Sequence, residues 1–188
     1  MCRYLIIALV ILFVSGCDLF TTREAETPDT RRSSWERPLV PRDVLRNMTL
    51  ALAERNTVDY LLSFGTDTLA FIPDAVALSN YPELEGWGIT EETRHITQLL
   101  SGGVLPGDSI LAVIFDDLEQ TQLPDSAYLR EKYTLLAGVT VPGSAHQMMG
   151  TAEFYLKMGQ EGYWIIERWV DQRTEGQPTW SDLKAMVR

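Results

Sequence analysis

The fold is decided near the end of the chain, in the stretch Gly162-Tyr163-Trp164-Ile165-Ile166-Glu167-Arg168-Trp169-Val170-Asp171. Side chains of a β-strand point alternately to the two faces of a sheet, and large apolar residues occupy both alternating sets here. We therefore predict a strand over residues 163–172 that lies inside a sheet and is covered on both sides for part of its length. The preceding residues 159–162, with a glycine at each end, are typical of a hairpin loop.

Three further strands are predicted before this one. Residues 147–158 alternate apolar and polar side chains, which indicates a strand with one face toward a core. A β-rich run opens residues 109–121, and residues 128–141 alternate in part before Pro142 ends the pattern. Because the four strands follow one another directly, we expect a mostly antiparallel meander.

Helical patterns lie mainly before the strands. Residues 68–72 are a short strand candidate between them, and residues 74–88 look irregular because of their proline and glycines. Helices and strands grouped in separate parts of a chain are typical of the α+β class rather than of a doubly wound sheet. Apolar spacing of the i, i+3, i+4 type predicts helices over residues 41–55, 58–64, 89–101 and 180–187.

This order resembles the cone-shaped fold of nuclear transport factor two, scytalone dehydratase and ketosteroid isomerase, also seen in polyketide-cyclase-like proteins. The helix pair 44–64 and the closing hairpin carry the resemblance, which extends to about Gln172. It implies three N-terminal helices packed in a strongly bent, mostly antiparallel sheet around a pocket, with a short C-terminal helix. A lipocalin-like barrel has more strands than this chain, and a cystatin-like sheet has fewer helices.

The chain opens with a leader-like segment. Arg3 precedes an apolar run over residues 4–14, which is shorter than the ~20 residues that a membrane-spanning helix needs. The run ends in Val14-Ser15-Gly16-Cys17, which resembles the lipobox of bacterial lipoproteins. That resemblance implies that the thiol of Cys17 receives diacylglycerol, that the chain is cut before Cys17 and that the new amino terminus usually receives a third acyl chain. Two or more acyl chains anchor a protein stably. The alternatives are an ordinary signal peptide with a chance cysteine and a short N-terminal membrane anchor.

These signals divide the chain into three parts. We expect a signal peptide over residues 1–16, a lipidated Cys17 with a flexible tether over residues 17–41, and a single cone-like domain over residues 42–188. Low apolar periodicity and three prolines are typical of such a tether. The protein would then be anchored by lipid to the inner or outer membrane of a bacterial cell envelope, with its domain outside the cytoplasm.

Charge and cysteine content exclude several partners. The chain has 16 Lys and Arg against 26 Asp and Glu, and this net charge of −10 gives no long-range attraction to nucleic acid. Cys2 would leave with the signal peptide and Cys17 would be acylated, so no thiol would remain for a disulfide, a nucleophile or zinc. With two scattered histidines, we expect neither a metal site nor a cofactor.

Enzymes of the resembling fold place an aspartate or histidine base inside the cone, with tyrosine or acid donors opposite it. Asp116 and Asp117 are adjacent on a strand and point to opposite faces, so they cannot share one proton. His95 has polar neighbours and is expected at the surface. No candidate matches a catalytic motif of the family, which favours a non-catalytic protein. The candidate bases are His95, Asp116, Asp117, Glu153, Glu167 and Asp171, with Tyr60 or Tyr133 as donors.

Three functions remain open. The first is a membrane-anchored lipoprotein whose cone domain binds a small apolar ligand or an envelope protein; the others are an isomerase- or dehydratase-like enzyme and a scaffold that dimerises through the outer sheet face. A cone filled by side chains would count against the first two, and a pocket with a buried acid of raised pKa would favour the enzyme. The candidate ligand-binding residues are Tyr60, Trp87, Tyr133, Trp164, Arg168 and Trp169.

Overall fold

The computed structural model describes residues 33–65, 69–174 and 176–188. The predicted signal peptide, Cys17 and most of the tether lie outside these residues. The described helices are α1 (Pro41–Ala53), α2 (Thr57–Leu61), α3 (Ala75–Asn80), a 3-10 turn (Pro82–Leu84), α4 (Ile89–Leu99) and α5 (Trp180–Met186). The described strands are β1 (Ala70–Ile72), β2 (Leu111–Gln122), β3 (Ser126–Ala137), β4 (Gln147–Met158) and β5 (Trp164–Arg173).

The strands form one sheet in the order β1-β5-β4-β3-β2. β2 to β5 are the predicted antiparallel meander, and β1 pairs in parallel with β5, with Phe71 opposite Trp169. The register shifts between Asp117 and Glu119 and between Tyr155 and Leu156, and such bulges bend strands and increase their twist. The sheet is therefore curled, and the predicted α+β class is confirmed.

α1 and α2 form the predicted helix pair. Pro41 is the first residue of α1, where its missing N–H would have had no intrahelical partner. Asn56 rather than the following threonine caps α2, because its side-chain oxygen accepts a hydrogen bond from the backbone N–H of Asp59 at 3.1 Å. The spacing of apolar residues on α1 buries Val44, Leu45, Met48 and Leu52.

The stretch 74–88 is more regular than its sequence predicts. The carboxylate of Asp74 accepts hydrogen bonds from the backbone N–H groups of Val76 and Ala77, at 3.0 and 3.2 Å, and so caps α3. The 3-10 turn follows directly. More than three helical segments therefore precede the long strands, because a side-chain cap stabilises a helix too short to show apolar periodicity.

The compact unit of the domain begins at Ser33 and so includes residues that the sequence assigns to the tether. The backbone N–H of Trp164 donates a hydrogen bond to the carbonyl of Pro38 at 3.0 Å. The half-buried ring of Trp35 packs edge-on against Tyr163, with 6.1 Å between the centroids. These contacts place residues 33–40 against the start of β5.

The core lies against one face of the sheet. Alternate residues of β3 are buried on this inner face, including Leu129, Glu131 and Tyr133, while their neighbours face outward. α5 also contributes buried residues to this core, although it is the last element of the chain. The short C-terminal helix is thus an integral part of the folded domain.

Candidate functional site

α5 packs its aromatic residue onto the inner face of the sheet. Trp180 is 1% exposed. Its ring centroid lies 4.7 Å from that of Trp169 on β5, 5.7 Å from that of Tyr133 on β3 and 6.5 Å from that of Phe115 on β2. The contacts with Trp169 and Tyr133 are edge-to-face and that with Phe115 is stacked, and such contacts stabilise aromatic pairs beyond their buried area. The C-terminal helix therefore occupies the space in front of three strands.

The first turn of α5 engages the interior acid Asp171. Tyr133 donates its hydroxyl proton to Oδ1 of Asp171 at 2.7 Å, and the backbone N–H of Ser181 donates to Oδ2 at 2.8 Å. The Tyr133 oxygen in turn accepts a hydrogen bond from the backbone N–H of Trp180 at 2.8 Å. Burial raises the pKa of Asp171 above its ordinary value despite these donors. Both Asp171 and Tyr133 are therefore hydrogen-bonded to the first turn of α5.

Gly150 makes room for this arrangement. A Cβ atom at this position would lie 2.7 Å from the Tyr133 hydroxyl oxygen and 2.7 Å from the backbone oxygen of Gln172. Tyr133 and Gly150 are opposite each other on β3 and β4, and the phenol ring of Tyr133 lies over Gly150. The absence of a side chain at residue 150 is therefore a condition for the Tyr133–Asp171 hydrogen bond.

A second ionic cluster surrounds Arg173 at the same end of α5. The guanidinium donates to both carboxylate oxygens of Asp74 at 3.0 Å and to Asp182 on α5 at 2.8 Å. Burial alone would raise the pKa of Asp74, but hydrogen bonds from Arg173 and Thr179 hold it below its ordinary value. This cluster ties α5 to α3 and to the end of β5.

A buried ion pair lies further along α5. The Nζ of Lys184 donates a hydrogen bond to Oε2 of Glu92 on α4, and both side chains are 0% exposed. The indole N–H of Trp87 donates to the same oxygen at 2.8 Å, and the hydroxyl of Tyr60 donates to Oε1 at 2.7 Å. Burial alone would raise the pKa of Glu92, but the charge of Lys184 holds it below its ordinary value, so the carboxylate stays ionised.

Three aromatic rings surround the ammonium group of Lys184. Its Nζ lies 4.7 Å from the ring centroid of Phe71, 4.7 Å from that of Trp169 and 5.3 Å from that of Trp87. A cation within about 6 Å of a ring centroid is attracted by the negative face of the ring. Together with Glu92, these rings provide the ammonium with both an ionic and an aromatic environment.

His95 lies beside this pair and corrects a prediction from the sequence. It is 1% exposed rather than at the surface, because α4 buries the face that carries Glu92, His95 and Ile96. Its Nδ1 hydrogen-bonds to the carbonyl of Val187 at 2.6 Å, and Nε2 has no hydrogen-bond partner in the part of the chain described. Burial lowers the pKa of His95 to about 4, so the imidazole is neutral at pH 7.

Comparison with known proteins identifies the fold. No family model and no curated protein matches the sequence. One similar solved structure is a nuclear transport factor 2 (NTF2-like) superfamily protein from Salmonella enterica, with 11% identity and a TM-score of 0.54 over 73% of this chain and 87% of that one. Another is a ketosteroid isomerase-like protein from Erwinia carotovora, with 14% identity and a TM-score of 0.51 over 72% and 95%.

A third is an NTF2-like protein from Cytophaga hutchinsonii, with 14% identity and a TM-score of 0.53 over 70% of this chain and 93% of that one. The domain has the NTF2-like fold. At these identities the likeness concerns the fold alone, which confirms the fold that the sequence resemblance implies.

The NTF2-like fold brings three of the predicted ligand-binding residues together. Tyr60, Trp87 and Trp169 all contact the Glu92–Lys184 pair, either through hydrogen bonds or through an aromatic face. Tyr133 belongs to the Asp171 cluster, and Trp164 is 1% exposed elsewhere in the core. The guanidinium of Arg168 instead stacks on Tyr155, with Cζ 3.7 Å from the ring centroid. These residues therefore divide among four environments.

Most of the predicted bases lie away from the interior. Glu167 pairs with Lys157 at 2.7 Å on the surface, and Glu153 accepts a hydrogen bond from Gln172 at 2.9 Å. Asp116 is exposed and Asp117 is half exposed. As adjacent residues of β2 they point to opposite faces of the sheet, and Asp117 pairs with Arg42 at 2.7 Å. Asp171 and His95 are the two candidates that the fold buries.

A further charged site, around Glu131, lies on β3 next to β2. Glu131 is 0% exposed; its Oε1 accepts a hydrogen bond from Arg42 at 2.9 Å, while Oε2 has no partner among the described residues. Arg42 is 38% exposed and also pairs with Asp117 at 2.7 Å. Burial raises the pKa of Glu131 to about 7, because the nearby arginine only partly offsets the loss of solvation.

Arg42 connects this site to an open groove between α1 and β2. The groove has a volume of about 470 Å³, within the range of small-molecule sites. Ile114, which lies on one wall, is 56% exposed. The lining residues include Arg42, Leu45, Arg46, Leu50, Val113 and Phe115.

Sequence reasoning missed Glu92, Lys184 and Glu131, because charged residues are rarely buried and are assigned to the surface by default. A weak signal was available on α4, where Glu92 shares the i, i+3, i+4, i+7 positions with His95, Ile96 and Leu99. Within residues 33–65, 69–174 and 176–188, no cluster of His, Cys, Asp and Glu has a metal-binding arrangement. No helix in that part of the chain is long and apolar enough to cross a bilayer.

Proposed function

We propose that this protein is a bacterial envelope lipoprotein, anchored through Cys17, whose NTF2-like domain is a non-catalytic binding module. The observation that carries the proposal is the engagement of the interior acids by the protein's own C-terminal helix. Asp171 accepts hydrogen bonds from Ser181, and Glu92 is paired with Lys184. An interior general base must reach a substrate proton, and these two carboxylates are already occupied.

The binding role is supported by what remains open at the surface. The groove between α1 and β2 is large enough for a small apolar ligand or for a side chain of a partner protein. Ile114, which lines the groove, is 56% exposed, and Leu45, Leu50, Val113 and Phe115 add apolar side chains to its lining. Side chains of α5 fill the cone, which counts against the interior ligand that the sequence predicts, so a ligand or an envelope protein is proposed to bind at the groove instead.

The anchor rests on the sequence Val14-Ser15-Gly16-Cys17. We expect the Cys17 thiol to carry acyl chains, including palmitate, and the domain to remain outside the cytoplasm at the inner or outer membrane. Cysteine acylation adds about 0.8 kcal/mol of membrane affinity per buried methylene, so two or more chains suffice for stable attachment.

The anchor is tested by expressing the full chain in a bacterium fed an alkyne analogue of palmitate. Wild type should be labelled and should fractionate with membranes, whereas Cys17→Ser should lose both the label and the processed size. Cys2→Ser is the matched control, because Cys2 leaves with the signal peptide and its loss should change neither result. A cleaved, membrane-bound Cys17→Ser product, or label that depends on Cys2, would contradict the lipoprotein proposal.

The alternative, an isomerase- or dehydratase-like enzyme, is favoured by one observation. Glu131 has a pKa of about 7, which suits proton transfer near neutral pH, and Arg42 links it to the groove. The test is the isomerisation of a β,γ-unsaturated ketone by wild type and by Glu131→Gln. Faster conversion by wild type alone would support the enzyme, and equal rates would exclude Glu131 as its base.

A scaffold that forms a homodimer through the outer face of the sheet is the remaining alternative. Ile72 and Ile114 on that face are 46% and 56% exposed. Sedimentation of the purified chain in detergent, compared with that of Ile114→Lys, distinguishes a dimer from a monomer.

A further inference from the structure

The environment of Lys184 is a complete recognition site for an ammonium group. Three aromatic faces lie within 4.7–5.3 Å of its Nζ, and one carboxylate provides the opposite charge. Aromatic faces combined with a carboxylate are the general means by which proteins bind organic ammonium ions. The rings and the carboxylate therefore suit a positively charged group and not merely a buried side chain of the right size.

The cation-binding groups are held in place independently of Lys184. Oε1 of Glu92 accepts the hydroxyl of Tyr60 at 2.7 Å, and Oε2 accepts the indole N–H of Trp87 at 2.8 Å. These donors come from α2 and from the segment before α4, so the carboxylate has hydrogen-bond partners that do not belong to the C-terminal helix. Groups positioned in advance bind a ligand with less loss of entropy.

The ammonium group and its site come from distant parts of the chain. Lys184 and Glu92 are separated by 92 residues, and the three rings belong to β1, β5 and the segment before α4. The helix that carries Lys184 is the last helix of the described structure. The rest of the domain thus presents a receptor, and α5 inserts the group that it receives.

Packing alone does not require a charge at this position. A buried ion pair is often no more stable than apolar residues of similar volume, because both ions lose their hydration. A methionine at residue 184 could occupy the same space among Phe71, Trp87 and Trp169. The Glu92–Lys184 pair therefore makes the site selective for a cation, in addition to any stability that it contributes.

We propose that the interior of the cone is a binding site for primary ammonium groups, that Lys184 occupies it in cis, and that an external alkylammonium ion binds there when the lysine side chain is removed. This inference goes beyond the groove proposed above, because it concerns the interior of the cone, which Lys184 occupies in the wild-type protein. The test below probes the interior of the domain and does not depend on whether Cys17 is acylated. The ammonium site and the lipoprotein proposal can therefore fail independently of each other.

The test is chemical rescue of Lys184→Ala in the full chain, purified in detergent. The substitution removes three methylenes and the ammonium group, which n-propylammonium replaces. The melting temperature should rise with n-propylammonium in a saturable manner, by roughly 3–6 °C at a ten-fold excess over the dissociation constant. 1-Propanol, which has the same size but no charge, should give no comparable shift.

Two variants act as matched controls. Lys184→Met fills the space without a charge and should not respond to n-propylammonium. Lys157→Ala removes a lysine that also pairs with a glutamate, Glu167 at 2.7 Å, but at the surface, and it should not respond either. An equal shift with 1-propanol, an equal shift in Lys157→Ala, or no shift in Lys184→Ala would each overturn the proposal.

A second measurement covers the case in which Lys184→Ala does not fold in buffer. Near-ultraviolet circular dichroism reports the packing of the interior tryptophans. Recovery of the wild-type signal on addition of n-propylammonium, but not of 1-propanol, would support the site. A signal that stays at the unfolded level in the presence of the amine would contradict it.

Discussion

The domain buries two glutamates in different ways, and the comparison shows how local partners decide the charge of a carboxylate. Glu92 accepts hydrogen bonds from Lys184, Trp87 and Tyr60, so both of its oxygens are satisfied. Glu131 is as fully buried, yet one oxygen has no partner in the described structure and its arginine is shared with Asp117. Neither carboxylate is exposed to solvent, but the hydrogen bonds and charges that compensate for this differ between the two sites.

The pKa values reflect this difference. A dedicated, fully buried cation holds the pKa of Glu92 below its ordinary value, whereas the shared and partly exposed Arg42 leaves that of Glu131 at about 7. The interaction of two charges strengthens as water is excluded. The Glu92 site is therefore a closed structural and recognition unit, and the Glu131 site next to the open groove can exchange a proton near neutral pH.

The largest effect is expected from Glu92→Gln. The substitution leaves Lys184 buried without its counter-charge, and breaking a buried ion pair in this way costs about 3–5 kcal/mol of stability. Urea unfolding of the full chain in detergent measures the loss. Glu85→Gln is the control, because Glu85 is exposed just before α4 and its substitution should cost less than about 0.5 kcal/mol.

The double variant Glu92→Met with Lys184→Met sharpens this result. Removing both charges relieves the unpaired ion, so the double variant should be more stable than Glu92→Gln. A double variant that is less stable than the single one would mean that polar contacts other than the ion pair hold α5.

An intermediate effect is expected from Gly150→Ala. The new methyl group would lie 2.7 Å from the Tyr133 hydroxyl oxygen and from the backbone of Gln172. Forcing such a contact in a packed core costs about 1–3 kcal/mol. Thermal unfolding should show the loss, and adding Tyr133→Phe should not recover it, because the ring carbon Cε1 of residue 133 at 2.9 Å and the backbone oxygen of Gln172 still obstruct the methyl group and the hydrogen bond to Asp171 is lost. A fully stable Gly150→Ala would contradict the geometry of the Tyr133–Asp171 contact.

The smallest effect concerns the pH dependence of Glu131. Its pKa rises from 4.5 to about 7 on folding, so between these values the folded state holds a proton that the unfolded state has released. Stability therefore falls as the pH rises through this window, and Glu131→Gln should be more stable than wild type at pH 8 by about 1 kcal/mol, because the loss of the pairing with Arg42 offsets part of the gain. Glu119→Gln, an exposed change on the neighbouring strand, should follow wild type at each pH.

The strands and long helices of this fold were predictable from the sequence because their patterns are local. The alternation over residues 147–158 corresponds directly to β4, and the spacing over residues 41–55 corresponds to α1 with an end two residues earlier. α3 was missed, since its six residues are stabilised by the side chain of Asp74 and not by periodicity. The parallel pairing of β1 with β5 joins residues about a hundred positions apart, which no local pattern records.

The candidate site was predictable only in part. Aromatic residues such as Tyr60, Trp87 and Trp169 stand out as large side chains that a fold must bury, and all three contact the Glu92–Lys184 pair. Lys184 itself carries no local signal, because one lysine on a short helix is most often solvated. Arg168 was predicted to bind a ligand because it lies on the same strand as Trp169. In the structure, β5 instead places its guanidinium against the ring of Tyr155.

The sequence by itself determined the α+β class, the meander, the helix pair and the prediction of an anchored leader, because each depends on neighbouring residues or on a short motif. The tertiary structure decided that the C-terminal helix fills the interior and that its lysine meets Glu92 among three aromatic rings. That meeting depends on the curvature of the sheet and on contacts between residues 92 positions apart, where packing and charge compensation act together.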